Sequence, residues 1–142
     1  MKQAYQKLDI SKKTTIQMPS KVLLVDDEKE FVLTLSERLQ IRDMGTAVVY
    51  DGKSALDLIY NDAPEVMIID LKMPVIDGMQ VLKQVKQTMP EIEVIVLTGH
   101  GSEQDKKKCM ALGAFAYMQK PVDINLLSNS LKKAMEKIKA NQ

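Results

Sequence analysis

Residues 21–27 form the run Lys21-Val-Leu-Leu-Val-Asp-Asp27, in which a short apolar stretch ends in two carboxylates. Such runs are typical of strands buried on both faces, as in a parallel sheet. A second run, Val66-Met-Ile-Ile69, ends in Asp70, and a later strand-like segment ends at Lys120, directly before Pro121. Because open α/β sheets bind ligands at the carboxyl ends of such strands, we expect these charged side chains to converge on one crevice.

The three carboxylates of Asp26, Asp27 and Asp70 would repel one another in that crevice. Carboxylates a few Å apart repel by roughly 3–4 kcal/mol per pair at an effective dielectric constant of about 20. The cluster therefore needs positive charge to stay ionised. A hard divalent cation and the ammonium of Lys120 would supply it.

The chain alternates between strand-like and helix-like segments from residue 21 onwards. Strands are predicted at 22–26, 46–50, 66–70, 93–98 and 115–119, and helices at 28–40, 53–60, a segment ending near Pro90, 102–112 and a segment that begins at the N-cap Asp123. This alternation requires right-handed parallel crossovers and covers both faces of the sheet with helices. We therefore predict an α/β fold, a flavodoxin-like doubly wound (βα)5 three-layer sandwich with strand order 2-1-3-4-5.

Length and composition indicate one intracellular domain. The chain has 142 residues, 45% of them hydrophobic, and its net charge of +1 gives no overall attraction to nucleic acid or anionic membranes. No apolar stretch approaches the ~20 residues of a membrane span, and the N-terminus lacks the apolar region of a signal peptide. The single cysteine, Cys109, excludes an intramolecular disulfide. We expect a cytoplasmic location.

The first 20 residues differ from the rest of the chain. Tyr5, Leu8 and Ile10 are isolated apolar residues without a sustained period, and Pro19 precedes the first predicted strand. We predict a flexible N-terminal extension over residues 1–20 and a single domain over residues 21–142.

Four ordered elements resemble the receiver domains of two-component response regulators, with a match that covers about residues 21–139. They are Val25-Asp26-Asp27-Glu28, Ile69-Asp70-Leu-Lys-Met-Pro-Val-Ile-Asp-Gly-Met79, Leu97-Thr98-Gly99 and Tyr117-Met-Gln-Lys120-Pro121. One acidic pair alone is weakly diagnostic, but all four elements in this order and spacing are highly specific.

The resemblance implies that Asp70 accepts a phosphoryl group from a sensor histidine kinase, a phosphotransfer protein or a small phosphodonor. Asp27 and Asp70 would bind Mg²⁺ directly, and the backbone carbonyl of Lys72 would be a further ligand. Asp26 would reach the ion directly or through water. Mg²⁺ suits this role because it uses few carboxylates, keeps waters and bridges to phosphate oxygens.

The resemblance also assigns a switch. Lys120, in a cis Lys120–Pro121 bond, and the Thr98 hydroxyl would neutralise the phosphoryl oxygens. Phosphorylation would draw the Thr98 hydroxyl toward the phosphoryl group and vacate space into which Tyr117 turns. The output face would comprise the fourth helix, fifth strand and fifth helix, and would bind a downstream protein or a second copy.

Residues 102–108 contain no apolar residue, so the fourth helix should be weakly anchored.

Each residue also fits a simpler role when taken alone. Asp26 and Asp27 could cap a helix, and Asp70 could be a turn residue. Thr98 could be an ordinary strand residue and Lys120 a solvated lysine. Their joint placement favours the phosphoacceptor site.

Rival functions remain open on the sequence. A flavodoxin-like electron carrier would need a phosphate loop rich in Ser, Thr and Gly, where this chain has Asp26-Asp27-Glu28. An aspartyl-phosphate hydrolase would need an acid where Lys72 stands, and a pseudo-receiver interaction module would not be phosphorylated. We expect no conventional enzyme, only Mg²⁺-dependent self-phosphorylation from phosphodonors and autodephosphorylation, and no direct contact with nucleic acid or membrane. The chain could be a stand-alone regulator or the receiver of a longer, σ54-type activator.

Overall fold

The computed structural model of the protein describes residues 4–9, 14–17 and 21–142. In chain order the elements are β1 (Gln6–Asp9), β2 (Thr14–Gln17), β3 (Lys21–Val25), α1 (Lys29–Ile41), β4 (Gly45–Val49), α2 (Gly52–Asn61), β5 (Val66–Ile69), α3 (Gly78–Thr88), β6 (Glu93–Thr98), α4 (Glu103–Ala111), β7 (Ala116–Gln119) and α5 (Ile124–Ala140). Within the described ranges, no helix combines the length and apolar character that crossing a membrane requires.

The described strands form one seven-stranded sheet in the order β2-β1-β4-β3-β5-β6-β7. The strands from β4 to β7 in this order pair in parallel. When β3 is counted as the first strand, these five strands have the predicted order 2-1-3-4-5, which confirms the fold. Their bounds differ from the predicted ones only at the ends, and β1 and β2 are additional strands. All residues of β5 and β6 are buried, because helices cover both faces of the sheet.

Two apolar layers separate the sheet from its helices. One face packs against α1 and α5 through residues such as Leu35, Leu39, Leu127 and Leu131. The other face packs against α2, α3 and α4. Of the α4 residues, all of which the structure describes, Cys109 alone is buried. This sparse burial supports weak anchoring of α4, which remains a prediction.

Strands β1 and β2 were not predicted from the sequence. They pair with each other antiparallel, and β1 continues onto β4 through the pair Gln6 and Thr46. Tyr5 is fully buried before β1, and its hydroxyl donates to the carbonyl oxygen of Asp62 at 3.0 Å. The Lys21 ammonium lies 5.6 Å from the centre of the Tyr5 ring. Tyr5 anchors this segment to the domain, and a single aromatic residue leaves no periodic apolar pattern in the sequence. Residues 1–3, 10–13 and 18–20 lie outside the described part of the chain.

Local signals fix the helix ends near the carboxyl edge of the sheet. Asp77 caps α3 in a reciprocal capping box with Gln80. Gly78 follows it because a Cβ at this position would overlap the carbonyl oxygen of Asp70. Asp123 caps α5 as predicted, and its carboxylate accepts hydrogen bonds from two backbone amides. These helix caps and the close backbone approach at Gly78 determine where the loops around Asp70 and Lys120 begin and end.

Candidate functional site

Backbone hydrogen bonds place two carboxylates at the ends of neighbouring strands. The amide of Asp70 donates to the carbonyl oxygen of Val25 at 3.1 Å, and the amide of Asp26 donates to that of Val49 at 3.2 Å. Each bond extends the sheet one residue beyond β5 or β3. The buried strands therefore hold both side chains at one edge of the sheet.

Asp26, Asp27 and Asp70 come together as predicted. Each offers a carboxylate oxygen, and these oxygens all lie within 4.8 Å of one another. Asp26 is 4% exposed and Asp70 3% exposed, whereas Asp27 is open to solvent. A set of carboxylate oxygens of which one is open to solvent fits Mg²⁺, which prefers hard oxygen ligands and keeps waters.

Lys120 reaches the same point from the end of β7. Its amide donates to the carbonyl oxygen of Thr98 at 3.0 Å, and the Lys120–Pro121 bond is cis, as predicted. The ammonium donates to Asp26 Oδ2 at 2.7 Å, and lies 3.5 Å from Asp70 Oδ2. It also lies 4.3 Å from the centre of the Phe31 ring. The cation is thus held between carboxylates and an aromatic face.

Glu28 was not identified from the sequence as a partner of Lys120. Glu28 Oε1 accepts from the Lys120 ammonium at 2.8 Å, and Glu28 provides the N-cap of α1 without a side-chain cap hydrogen bond. The amide of Glu28 donates to Asp26 Oδ1 at 2.9 Å. Its position directly after the acidic pair was the available signal, but acids are common at helix starts because they interact favourably with the helix dipole.

The charges of the site perturb one another. Burial raises the pKa of the Asp26 carboxyl, and hydrogen bonds from Lys120 and the Glu28 amide offset this only in part. The hydrogen bond from Lys120 lowers the pKa of Glu28. Burial by itself would lower the pKa of Lys120, but the bonds to Asp26 and Glu28 outweigh it and leave that pKa raised. The lysine therefore remains a cation at neutral pH.

Thr98 and Tyr117 lie on the adjoining strands β6 and β7. Thr98 is fully buried, and its hydroxyl oxygen accepts from the amide of His100 at 3.3 Å. The Tyr117 hydroxyl is also buried and has no hydrogen-bond partner among the described residues. It lies beneath Gly101, where a Cβ would overlap it and would lie 2.9 Å from Thr98 Cγ2. Tyr117 already points inward in this structure, whereas that position was predicted only after phosphorylation.

Lys72 lies at the edge of the site. Its backbone amide is 3.5 Å from Asp70 Oδ1, at the limit of a hydrogen bond. The role of its carbonyl as a metal ligand remains a prediction. The structure thus brings Asp26, Asp27, Asp70 and Lys120 together and adds Glu28 and Phe31 around Lys120.

Comparison with known proteins gives one family. A family model described as the response regulator receiver domain matches residues 22–132. A response regulator receiver domain protein from Clostridium thermocellum is 30% identical, with a TM-score of 0.83, and the match covers 87% of this chain and 99% of that one. The receiver domain of NtrX from Brucella abortus is 27% identical, with a TM-score of 0.77 and coverage of 81% and 98%. The signal receiver domain of a putative Luxo repressor protein from Vibrio parahaemolyticus is 26% identical, with a TM-score of 0.82 and coverage of 86% and 94%.

Proposed function

We propose, since the chain belongs to the response regulator receiver domain family, that it is a phosphorylation-dependent switch whose phosphoacceptor is Asp70. The observation that supports this most directly is the cluster of Asp26, Asp27 and Asp70, whose oxygens lie within 4.8 Å, beside the ammonium of Lys120. The phosphodonor is a sensor histidine kinase, a phosphotransfer protein or a small phosphorylated molecule.

The chemistry is a phosphoryl transfer to a carboxylate. An oxygen of Asp70 attacks the phosphorus atom and forms an O–P bond, while the bond from phosphorus to imidazole or acetate breaks and its electron pair leaves with that group. The transition state is loose and spreads charge over the phosphoryl oxygens. Lys120 and the Thr98 hydroxyl supply donors to those oxygens. Catalysis here is positioning and charge neutralisation rather than proton transfer.

The acidic cluster would hold Mg²⁺ through Asp26, Asp27, Asp70 and the backbone carbonyl of Lys72. When bound, the ion supplies positive charge that lets the carboxylates stay ionised and offsets the charge of the phosphoryl oxygens. The donor set supports this assignment because it consists of oxygen ligands, one of them open to solvent.

Replacing Asp27 with alanine should abolish stabilisation of the fold by Mg²⁺. A ligand that binds only the folded state at 100 times its Kd adds about 2.7 kcal/mol, so the parent should melt at a higher temperature in saturating MgCl₂. Thermal unfolding with and without MgCl₂ measures this shift. Asp57→Ala is the control, because Asp57 is an exposed acid on α2 that pairs with Lys53. An equal Mg²⁺ shift in the Asp27 variant and the parent would place the metal elsewhere.

Incubation with acetyl phosphate and MgCl₂ tests the phosphoacceptor. The intact mass of the parent should increase by one phosphoryl group, and Asp70→Asn should not gain it at a comparable rate. Peptide mapping must accompany the measurement, because Asp27 is a neighbouring carboxylate that could accept the group when Asp70 is absent. A phosphoryl group that maps to a residue other than Asp70 in the parent would overturn the assignment.

The output surface is the face formed by α4, β7 and α5, which are the predicted fourth helix, fifth strand and fifth helix. Thr98 and Tyr117 couple this face to Asp70. Helix α4 supports this choice because Cys109 is its one buried residue among those described, so a small free energy can move it. Residues 116–118 of β7 are partly exposed beside it. A downstream protein or a second copy of the chain would bind this face.

A further inference from the structure

We propose that Glu28 is a positioning residue that holds Lys120 away from Asp70 in the unphosphorylated protein and releases it when the phosphoryl group arrives. The inference rests on the proposed function, because it names a residue that regulates access to the same site. Glu28 is the exposed acid that directly follows Asp26 and Asp27, and the phosphoryl transfer described above does not use it.

The distances describe a lysine that is held to one side. Its ammonium lies 2.7 Å from Asp26 Oδ2 and 2.8 Å from Glu28 Oε1, but 3.5 Å from Asp70 Oδ2. An ammonium has three donors, and the two short bonds direct two of them away from the phosphoacceptor. The longest of the three ion-pair distances of Lys120 is therefore the one to Asp70, whose phosphorylated form it would stabilise.

Solvent exposure decides which of the two ion pairs of Lys120, with Glu28 or with Asp26, can break more easily. The Glu28 side chain is 56% exposed, whereas that of Asp26 is 6% exposed. Water can solvate the carboxylate of Glu28 as soon as Lys120 leaves, so this bond costs little to break. Breaking the bond to Asp26 would leave a buried carboxylate without its cation, which is far more costly. Lys120 should therefore pivot on Asp26 and leave Glu28.

The negative charge of the phosphoryl group drives the movement of the Lys120 ammonium from Glu28 towards Asp70. A phosphoryl group on Asp70 adds negative oxygens beside the ammonium and makes charge-assisted hydrogen bonds available there. Glu28 competes with the phosphoryl oxygens for the Lys120 ammonium and should therefore lower the rate of phosphorylation. Because an exposed ion pair is weak, we expect loss of Glu28 to raise the initial rate of phosphorylation by roughly two- to fivefold.

Two measurements test the proposal. The first needs no Mg²⁺ and no phosphodonor: limited acetylation with an activated ester, followed by peptide mass spectrometry, reports the accessibility of Lys120. Labelling of Lys120 should rise in Glu28→Gln, with Lys53, whose side chain is 80% exposed, as the internal reference. The second is the initial rate of phosphorylation by acetyl phosphate in MgCl₂.

Two further variants separate contact from charge. Glu28→Asp keeps the charge but shortens the side chain by one methylene group, so it should behave like Glu28→Gln in both measurements. Glu30→Gln removes a charge from the first turn of α1, and Glu30 is not among the ion-pair partners of Lys120 in the described part of the chain. It should match the parent.

The outcomes are distinct. Faster labelling and faster phosphorylation in both Glu28 variants support the proposal. Unchanged Lys120 labelling in Glu28→Gln overturns it, and so does a rate increase in Glu28→Gln that Glu28→Asp lacks, because that pattern reflects net charge alone. A parent that is never phosphorylated would refute the proposed function, while the labelling result would still decide whether Glu28 holds Lys120.

Discussion

Replacing Tyr5 with alanine should lower the free energy of unfolding by about 3–5 kcal/mol, the usual cost of deleting a fully buried aromatic side chain. Tyr5 is 0% exposed and packs into the core layer on the α2 side of the sheet. The variant also loses the hydrogen bond from the hydroxyl to the carbonyl of Asp62. Burial, with the nearby Asp62 carboxylate, raises the pKa of Tyr5, so the hydroxyl stays a donor at neutral pH. Urea unfolding measures the change.

Tyr60→Ala is the matched control, because Tyr60 is 60% exposed on the same side of the molecule in α2. An exposed substitution should change stability by no more than about 0.5 kcal/mol. If the two variants lost equal stability, the N-terminal segment would not be packed on the domain. If Tyr5→Ala alone is destabilised, the folded unit begins before residue 21.

Residues 1–20 mark a limit of sequence reasoning. A strand is recognisable in a sequence when several apolar residues recur at a fixed period. Strands β1 and β2 are only four residues each. Tyr5 and the pairing with the edge of β4 attach them to the domain, and neither feature leaves a periodic signal in the sequence. A single buried aromatic residue is indistinguishable in sequence from an exposed one such as Tyr60.

The parallel core was predictable for the opposite reason. Runs such as 22–25 and 66–69 are apolar at consecutive positions, a pattern that neither an exposed strand nor an amphipathic helix produces. The carboxylates that follow them are then fixed by the sheet itself. Glu28 and Phe31 were not predictable as partners of Lys120, because that contact joins α1 to the end of β7 and depends on the path of the lysine side chain.

Replacing Gly101 with alanine should drive the Tyr117 ring out of the protein. A Cβ at position 101 would overlap the Tyr117 hydroxyl, so the inward position requires glycine there. No hydrogen bond stabilises the inward position either, since the buried hydroxyl lacks a partner among the described residues. An unsatisfied buried polar group costs about 1–3 kcal/mol. The tyrosine is thus held inward by ring packing alone, and one methyl group should reverse its orientation.

Nitration of tyrosine, read by peptide mass spectrometry, can follow the ring. Burial raises the pKa of Tyr117, and outward rotation should return it toward its ordinary value of about 10, so more of the reactive phenolate forms. Nitration of Tyr117 should therefore rise in Gly101→Ala toward that of exposed Tyr60. Gly99→Ala is the control from the same loop, because its added Cβ would lie 3.9 Å from the nearest Lys120 atoms.

The same pair of variants tests whether Tyr117 links the site to the output face. In the parent, beryllofluoride, a mimic of the phosphoryl group, should change hydrogen exchange chiefly between Thr98 and Lys120. Gly101→Ala should blunt that change even though every side chain around Asp70 is intact, while Gly99→Ala should retain it. A full response in Gly101→Ala with Tyr117 outward would mean that movement of α4 does not depend on the tyrosine, and that Thr98 acts on the α4 helix through the backbone of residues 99–102 instead.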